Sequence, residues 1–124
     1  KAKTVFQKGM LTGQTVSYGA TWKASKNTWI STLPIGYGDG FMRGLSGKAE
    51  VLYDGKKFPV VGKICMDQMM IESPEMSVPN DAEMTLIGRS GEEMITVEHL
   101  AEQAQTIPYE ILTNLNSRLP RYYL

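Results

Sequence analysis

Two tyrosines set among glycines are the residues of this sequence best placed to do chemistry. Tyr18 stands in "VSYGAT" with Gly19 directly after it, and Tyr37 stands in "PIGYGDGF" between Gly36 and Gly38. A phenol donates and accepts hydrogen bonds, and its ionised form is a base. A neighbouring glycine lets the backbone come close to another group, because no Cβ intervenes. A plainer reading competes with this one. Tyrosine in a strand usually serves packing, and "GYGDG" is also a turn cluster whose glycines supply positive φ. On that reading Asp67, in "ICMDQ", caps a turn or pairs with Arg43 or Lys63. Residue types and spacing leave both readings open.

Other chemistries find less support. The sequence holds no phosphate-binding loop, no cluster of metal-ligating residues and no serine–histidine–aspartate pattern, so no metal site is expected. His99 is the sole histidine and falls off the apolar stripe of its segment, which predicts an exposed and chemically neutral position. The eight methionines suit flexible core filling. Cys65 is alone, which rules out an internal disulfide and predicts a small buried residue in a reducing, cytoplasmic setting. Thirteen Lys and Arg balance thirteen Asp and Glu, and that balance disfavours a nucleic-acid partner. No run approaches the ~18 apolar residues of a membrane span, and no signal peptide is recognisable, so no membrane partner is expected.

The elements that must position these residues read mostly as strands. With 124 residues, 42% of them apolar and 21% charged, the chain suits one globular domain. Its opening, "KAKTVFQKGMLTGQT", reads either as a chain joined in mid-course or as a genuine first strand. "KTVFQK" and "TWISTLPI" alternate as pleated strands do. "EVLYDGKKFPVVG" predicts a hairpin turning at Asp54-Gly55, with Pro59 at an edge or bulge. "ICMDQMMIES" alternates less cleanly, as a strand covered on both faces does, and "EMTLIGRSGEEMITV" predicts a pair around Ser90-Gly91.

After Thr96 the period changes. Val97, Leu100, Ala101 and Ala104 recur at helical spacing, Thr96 suits the cap and Glu98 the first turn. A second short helix is expected from Pro108, with Ile107, Ile111, Leu112 and Leu115 as its apolar face. "SRLPRYYL" is expected to be extended, because Pro120 steers Leu119 away from helix. The sum is a mainly β fold: an antiparallel β-barrel-like domain, closed or nearly closed, with one or two short helices near the C-terminus.

Taken in order, "VSYGATW", "LPIGYGDGFMRGLS", "PVVGKICMDQMMI" and "IPYEILTNLNSRLPRYY" resemble the C-terminal domain of alanine racemase over nearly the whole chain. "GYGDGFMR" together with "GKICMDQ" carries most of the specificity. The resemblance implies that residues 1–124 are the β domain of an enzyme that interconverts L- and D-alanine with pyridoxal 5'-phosphate, supplying D-alanine for bacterial peptidoglycan. It also implies an N-terminal (β/α)8 barrel, absent from this chain, that holds the cofactor-binding lysine and most phosphate contacts. Enzymes of the family are head-to-tail homodimers in which one subunit's barrel meets the other's β domain. This fragment alone is therefore expected to be inactive.

Residue by residue, the resemblance assigns Tyr18 as the catalytic base on the L-alanine side, across the cofactor from the lysine. Tyr37 corresponds to a tyrosine lining the substrate entrance. Met66 corresponds to the residue whose backbone N–H meets the substrate carboxylate, and Asp67 lies beside it in the corridor. Gly36, Gly38 and Gly40 would let their loop approach the partner's barrel, with Asp39 and Arg43 structural. Two positions depart from the usual pattern. Lys63 stands where many members carry arginine, which keeps the charge and loses the bidentate fork. Ser117 stands where some members carry a tyrosine that binds the cofactor phosphate; its hydroxyl donates from a shorter arm, and the change bears on alanine against serine as substrate. Two other readings are a decarboxylase of the same two-domain architecture, against which "SYGAT" and "CMDQ" speak, and a stand-alone β-barrel interaction module that buries Tyr18.

Overall fold

The structure, a computed structural model, describes residues 1–16, 22–74 and 77–123. Tyr18, with its neighbours from 17 to 21, lies outside the described residues. The strands are β1 (Ala2–Lys3), β2 (Phe6–Met10), β3 (Thr15–Val16), β4 (Trp22–Lys23), β5 (Thr28–Leu33), β6 (Glu50–Tyr53), β7 (Lys56–Val61), β8 (Met69–Ser73), β9 (Glu83–Met84), β10 (Gly88–Ser90) and β11 (Glu93–Ile95). Two helices follow, α1 (Val97–Ala104) and α2 (Pro108–Thr113). The fold is thus mainly β with two short helices near the C-terminus, as the sequence pattern predicts.

The largest sheet has five antiparallel strands in the order β2-β5-β8-β7-β6. Beyond β6, a bridge from Leu52 to Thr85 leads to β9, and β9 pairs with β1. Thr4 N–H donates to Ala82 C=O at 3.0 Å and Val5 N–H to Thr32 C=O at 3.0 Å, so one run of chain from β1 to β2 touches both ends of the series. The pairings therefore return to the segment they started from, with a single bridge as the thinnest link.

The hairpin turns where expected. Tyr53 pairs with Lys56, and Asp54 and Gly55 both have positive φ, 52° and 71°, the signature of a type I′ turn. Pro59 lies opposite Glu50, while the ladder to β8 begins only at Val60, so no neighbour on that side asks for its missing N–H. The second hairpin turns one residue later than expected: Ser90 pairs with Glu93, leaving Gly91-Glu92 as the turn.

β8 differs from the expectation. It starts at Met69 and alternates cleanly, with Met69, Ile71 and Ser73 buried and Met70 and Glu72 half-buried, while residues 64–68 form a loop. Cys65 in that loop is half-buried, more open than expected. The alternation divides the apolar side chains between two clusters. Leu33, Val51, Leu52, Ile71, Val78 and Met84 are wholly enclosed in the main core. Met10, Val16, Ala24, Ile30 and Val61 form a smaller one.

α1 is capped as its sequence predicts: Thr96 Oγ1 accepts from His99 N–H at 3.0 Å, and Leu100 and Ala101 are buried while the His99 side chain is exposed. α2 begins at Pro108, yet of the four residues expected to form its apolar face only Ile111 is buried; Ile107 is 60% exposed and Leu112 48%. The helix has six residues and Ile107 caps it from outside, so the stripe is too short to lie wholly on the core. The tail is not uniformly extended either, for Leu119 N–H bonds Asn116 C=O at 3.2 Å and closes a turn around Ser117 and Arg118.

Ile71, with no exposed surface, sits where β8 meets both β5 and β7. Ile71→Ala should lower stability by about 2–5 kcal/mol, and Thr96→Ala, through the lost cap, by about 1 kcal/mol. Urea unfolding followed by tryptophan fluorescence reads both; Ile71→Ala costing no more than Thr96→Ala would contradict this account of the core.

Candidate functional site

Leu33 ends β5, Met69 begins β8, and the two pair directly across the ladder. The chain leaving β5 and the chain entering β8 therefore emerge side by side. They carry the "GYGDG" and "CMDQ" segments, and they are hydrogen-bonded to each other: Tyr37 N–H donates to Cys65 C=O at 3.0 Å and Gly38 N–H to Met66 C=O at 2.8 Å. Residues Tyr37–Asp39 form one 3-10 turn, closed by Gly40 N–H on Tyr37 C=O at 3.1 Å.

Within this chain, glycine is required here by the backbone that packs against the loop. A Cβ on Gly36 would collide with the Cys65 carbonyl and lie 2.6 Å from that of Met66. Gly40 has φ +106°, and a Cβ there would strike the Asn114 carbonyl. A Cβ on Gly38 would come within 3.0 Å of the Met66 carbonyl oxygen. The close approaches that glycine permits are to this chain's own loops.

The expected site residues separate into those brought together and those not described. Tyr37 is 43% exposed and Met66 54%, on adjoining loops. The Met66 carbonyl is engaged, whereas its N–H has no hydrogen-bond partner among the described residues. Ser117 is exposed, one residue after Asn116, whose side chain donates to Gly38 C=O at 3.1 Å. Tyr18 lies outside the described residues.

Asp67 pairs with Arg118, whose Nη2 lies 3.2 Å from Asp67 Oδ1. Arg43 and Lys63 flank a separate cleft of about 450 Å³ with Gly44 and Ser46. Arg118 also reaches Asp39, from Nε to Oδ1 at 2.8 Å. Asp39 is buried, and its other oxygen accepts from Gly36 N–H at 3.1 Å. The hydrogen bond to Asp39, reinforced by that to Asp67, pushes the Arg118 guanidinium above its ordinary pKa, so it is a permanent cation. Sequence reasoning missed Arg118 and Asn116. Their partners stand 79 and 78 residues away, and no local pattern announces such pairs. Among the described residues no three His, Cys, Asp or Glu gather in a way that could hold a metal ion. The rim offers a phenol, a backbone donor without a partner among the described residues, a hydroxyl and a carboxylate–guanidinium cluster, a set suited to orienting a small charged molecule.

A family model described as the C-terminal domain of alanine racemase matches residues 1–123. The alanine racemase of Latilactobacillus sakei is 43% identical over 123 residues, covering 99% of this chain and 32% of that protein. The crystal structure of alanine racemase from Bacillus anthracis with bound L-Ala-P matches with a TM-score of 0.95 at 41% identity, covering 99% of this chain and 31% of that one. That of alanine racemase from Bartonella henselae with covalently bound pyridoxal phosphate matches at 0.88 and 31% identity, covering 98% and 33%. The chain thus spans about a third of the length of the relatives it matches.

The loop contact makes a paired prediction. Gly36→Ala must displace backbone and should cost about 1–3 kcal/mol, whereas Gly44→Ala, with nothing within 4 Å of the added carbon, should be close to neutral. Thermal unfolding of the two variants side by side decides it, and equal melting temperatures would refute the packing argument.

Proposed function

Because this chain belongs to the family of alanine racemase C-terminal domains, we propose that it works as the β domain of a pyridoxal-phosphate-dependent alanine racemase. Its substrate is then alanine, its setting the bacterial cytosol and its product the D-alanine of peptidoglycan. The cofactor-binding lysine belongs to a (β/α)8 barrel, and the site forms between the barrel of one subunit and the β domain of the other in a homodimer. The observation that carries the reading is the docking of the Tyr37 loop on the Met66 loop, which sets a phenol and a backbone N–H without a partner among the described residues on adjoining loops.

The rim fits the cofactor only at its periphery. Ser117 can donate one hydrogen bond to a phosphate, while the Tyr37 and Gly38 N–H groups are already bonded to carbonyls and form no anion cradle. Pyridoxal phosphate, when bound, supplies the electron sink that makes an amino acid's Cα–H acidic. The residues of this chain then divide the remaining work. The Met66 N–H holds the substrate carboxylate with a donor whose direction the loop contact fixes in advance. Tyr37 narrows the entrance, and Asp67 lies beside it. The Tyr18 phenolate oxygen takes the proton from Cα of L-alanine and returns one when the reaction runs the other way. A free phenol titrates near ~10, so that role needs neighbours that stabilise its anion.

In the complete enzyme Tyr18→Phe should slow racemisation by roughly 10²–10⁴-fold. Enantiomers have equal free energy, so the loss is the same in both directions and does not itself identify the face. Deuterium uptake from solvent does: it should persist at Cα of D-alanine and vanish at L-alanine, with the cofactor's absorption intact. Loss of uptake from both enantiomers together with cofactor release would refute the assignment. The present chain by itself, given pyridoxal phosphate and alanine, should produce no racemisation detectable by chiral chromatography; sustained turnover would overturn the shared-site reading.

A further inference from the structure

Arg118 ties together the three segments that carry Tyr37, Met66 and Ser117. Its Nη2 lies 2.7 Å from Asp39 Oδ1 and 3.2 Å from Asp67 Oδ1, and its Nε donates to Asp39 as well. Its own segment is fastened to the same loop. Asn116 N–H donates to Asp39 C=O at 2.9 Å, and Arg118 N–H to Asn116 Oδ1 at 2.9 Å. The two carboxylate arms are unequal. The Asp39 side chain is 10% exposed, whereas that of Asp67 is 70% exposed.

We propose that Arg118 is a positioning residue for racemisation: anchored on Asp39, it holds the Met66 loop, through Asp67, in register with the Tyr37 loop. The inference rests on the proposed function, since it is the Met66 N–H and the Tyr37 phenol whose separation it sets. An isolated ion pair as exposed as Asp67's holds little, because ordering two side chains offsets the attraction. Here the guanidinium is already immobilised by Asp39, so the second arm orders only one further side chain. The fork geometry of arginine is what allows one group to meet two carboxylates; a lysine ammonium on a flexible stem does not keep both in place. The lever on catalysis is positional, for a misplacement of about 1 Å can cost on the order of 10²-fold in rate.

The test uses the complete enzyme with Asp67→Asn, Arg118→Lys and Arg118→Gln. Asp67→Asn loosens the exposed arm and leaves the buried anchor. It should raise KM for alanine by roughly tenfold with a smaller fall in kcat, keep the cofactor's absorption, and melt close to the parent. Arg118→Lys keeps the contact to Asp39 and should match Asp67→Asn in KM. Arg118→Gln should exceed both, approaching 10²-fold in kcat/KM. Hydrogen exchange supplies a readout that does not depend on turnover: backbone amides of 65–68 should exchange faster in all three variants. Parent-like KM and parent-like exchange at 65–68 in Asp67→Asn would overturn the proposal. So would lowered melting temperatures across the series with KM unchanged, which is what a merely structural residue produces. If the parent enzyme does not racemise alanine, the functional reading fails instead, and the two failures are told apart by that control.

Discussion

The contact on which the candidate site depends is one of backbone against backbone. The turn at 36–40 lies so close to Cys65 and Met66 that a single added carbon on Gly36 has no space. Two N–H groups of the first loop reach two carbonyls of the second, and the Met66 N–H has no hydrogen-bond partner among the described residues. The contact exists because β5 and β8 are neighbours whose paired ends, Leu33 and Met69, release both loops at the same place. Moving the pairing by one residue would turn every side chain of β8 to the opposite face and shift the loops apart. Register in the sheet and geometry at the rim are one constraint.

Charge is distributed to match. The chain has balanced totals, and pairs such as Lys1–Glu83 and Lys57–Glu93 are exposed on both sides, where solvent and salt weaken them. Lys1 holds the Glu83 carboxyl below its usual range, so this small stabilisation is present above the unfolded carboxylate pKa and fades as pH falls through the folded one. Asp39 differs because it is buried. A buried carboxylate demands partners, and Asp39 finds the Gly36 N–H on one oxygen and Arg118 on the other. The rim thus gathers its polar groups around one enclosed charge.

Local features were readable in advance where a local cause produces them. Asp54-Gly55 turns the hairpin because both residues tolerate positive φ, and Thr96 caps α1 because its hydroxyl reaches an N–H three residues on. The reading weakened where tertiary context decides. The apolar residues around α2 resembled a buried stripe, yet a six-residue helix offers only Ile111 to the core. The segment before β8 carries β-prone residues, yet residues 64–68 are a loop because their backbone meets Gly36–Gly38 and not a strand. The glycines of "GYGDG" read as room for a close approach, and within this chain the approaching group is its own backbone at Cys65, Met66 and Asn114.

The mainly β fold, the hairpin, the helix start and, through its ordered motifs, the family to which the chain belongs are all written in the row of residues. Periodicity, turn chemistry and capping act over a few residues, and a row of letters preserves them. That Asp67 pairs with Arg118, and that Asp39 shares the same guanidinium, emerged with the folded chain alone. Those partners lie 51 and 79 residues from Arg118 along the chain. A contact across such a distance is set by which strands pair and where they end, and no spacing within the sequence encodes it.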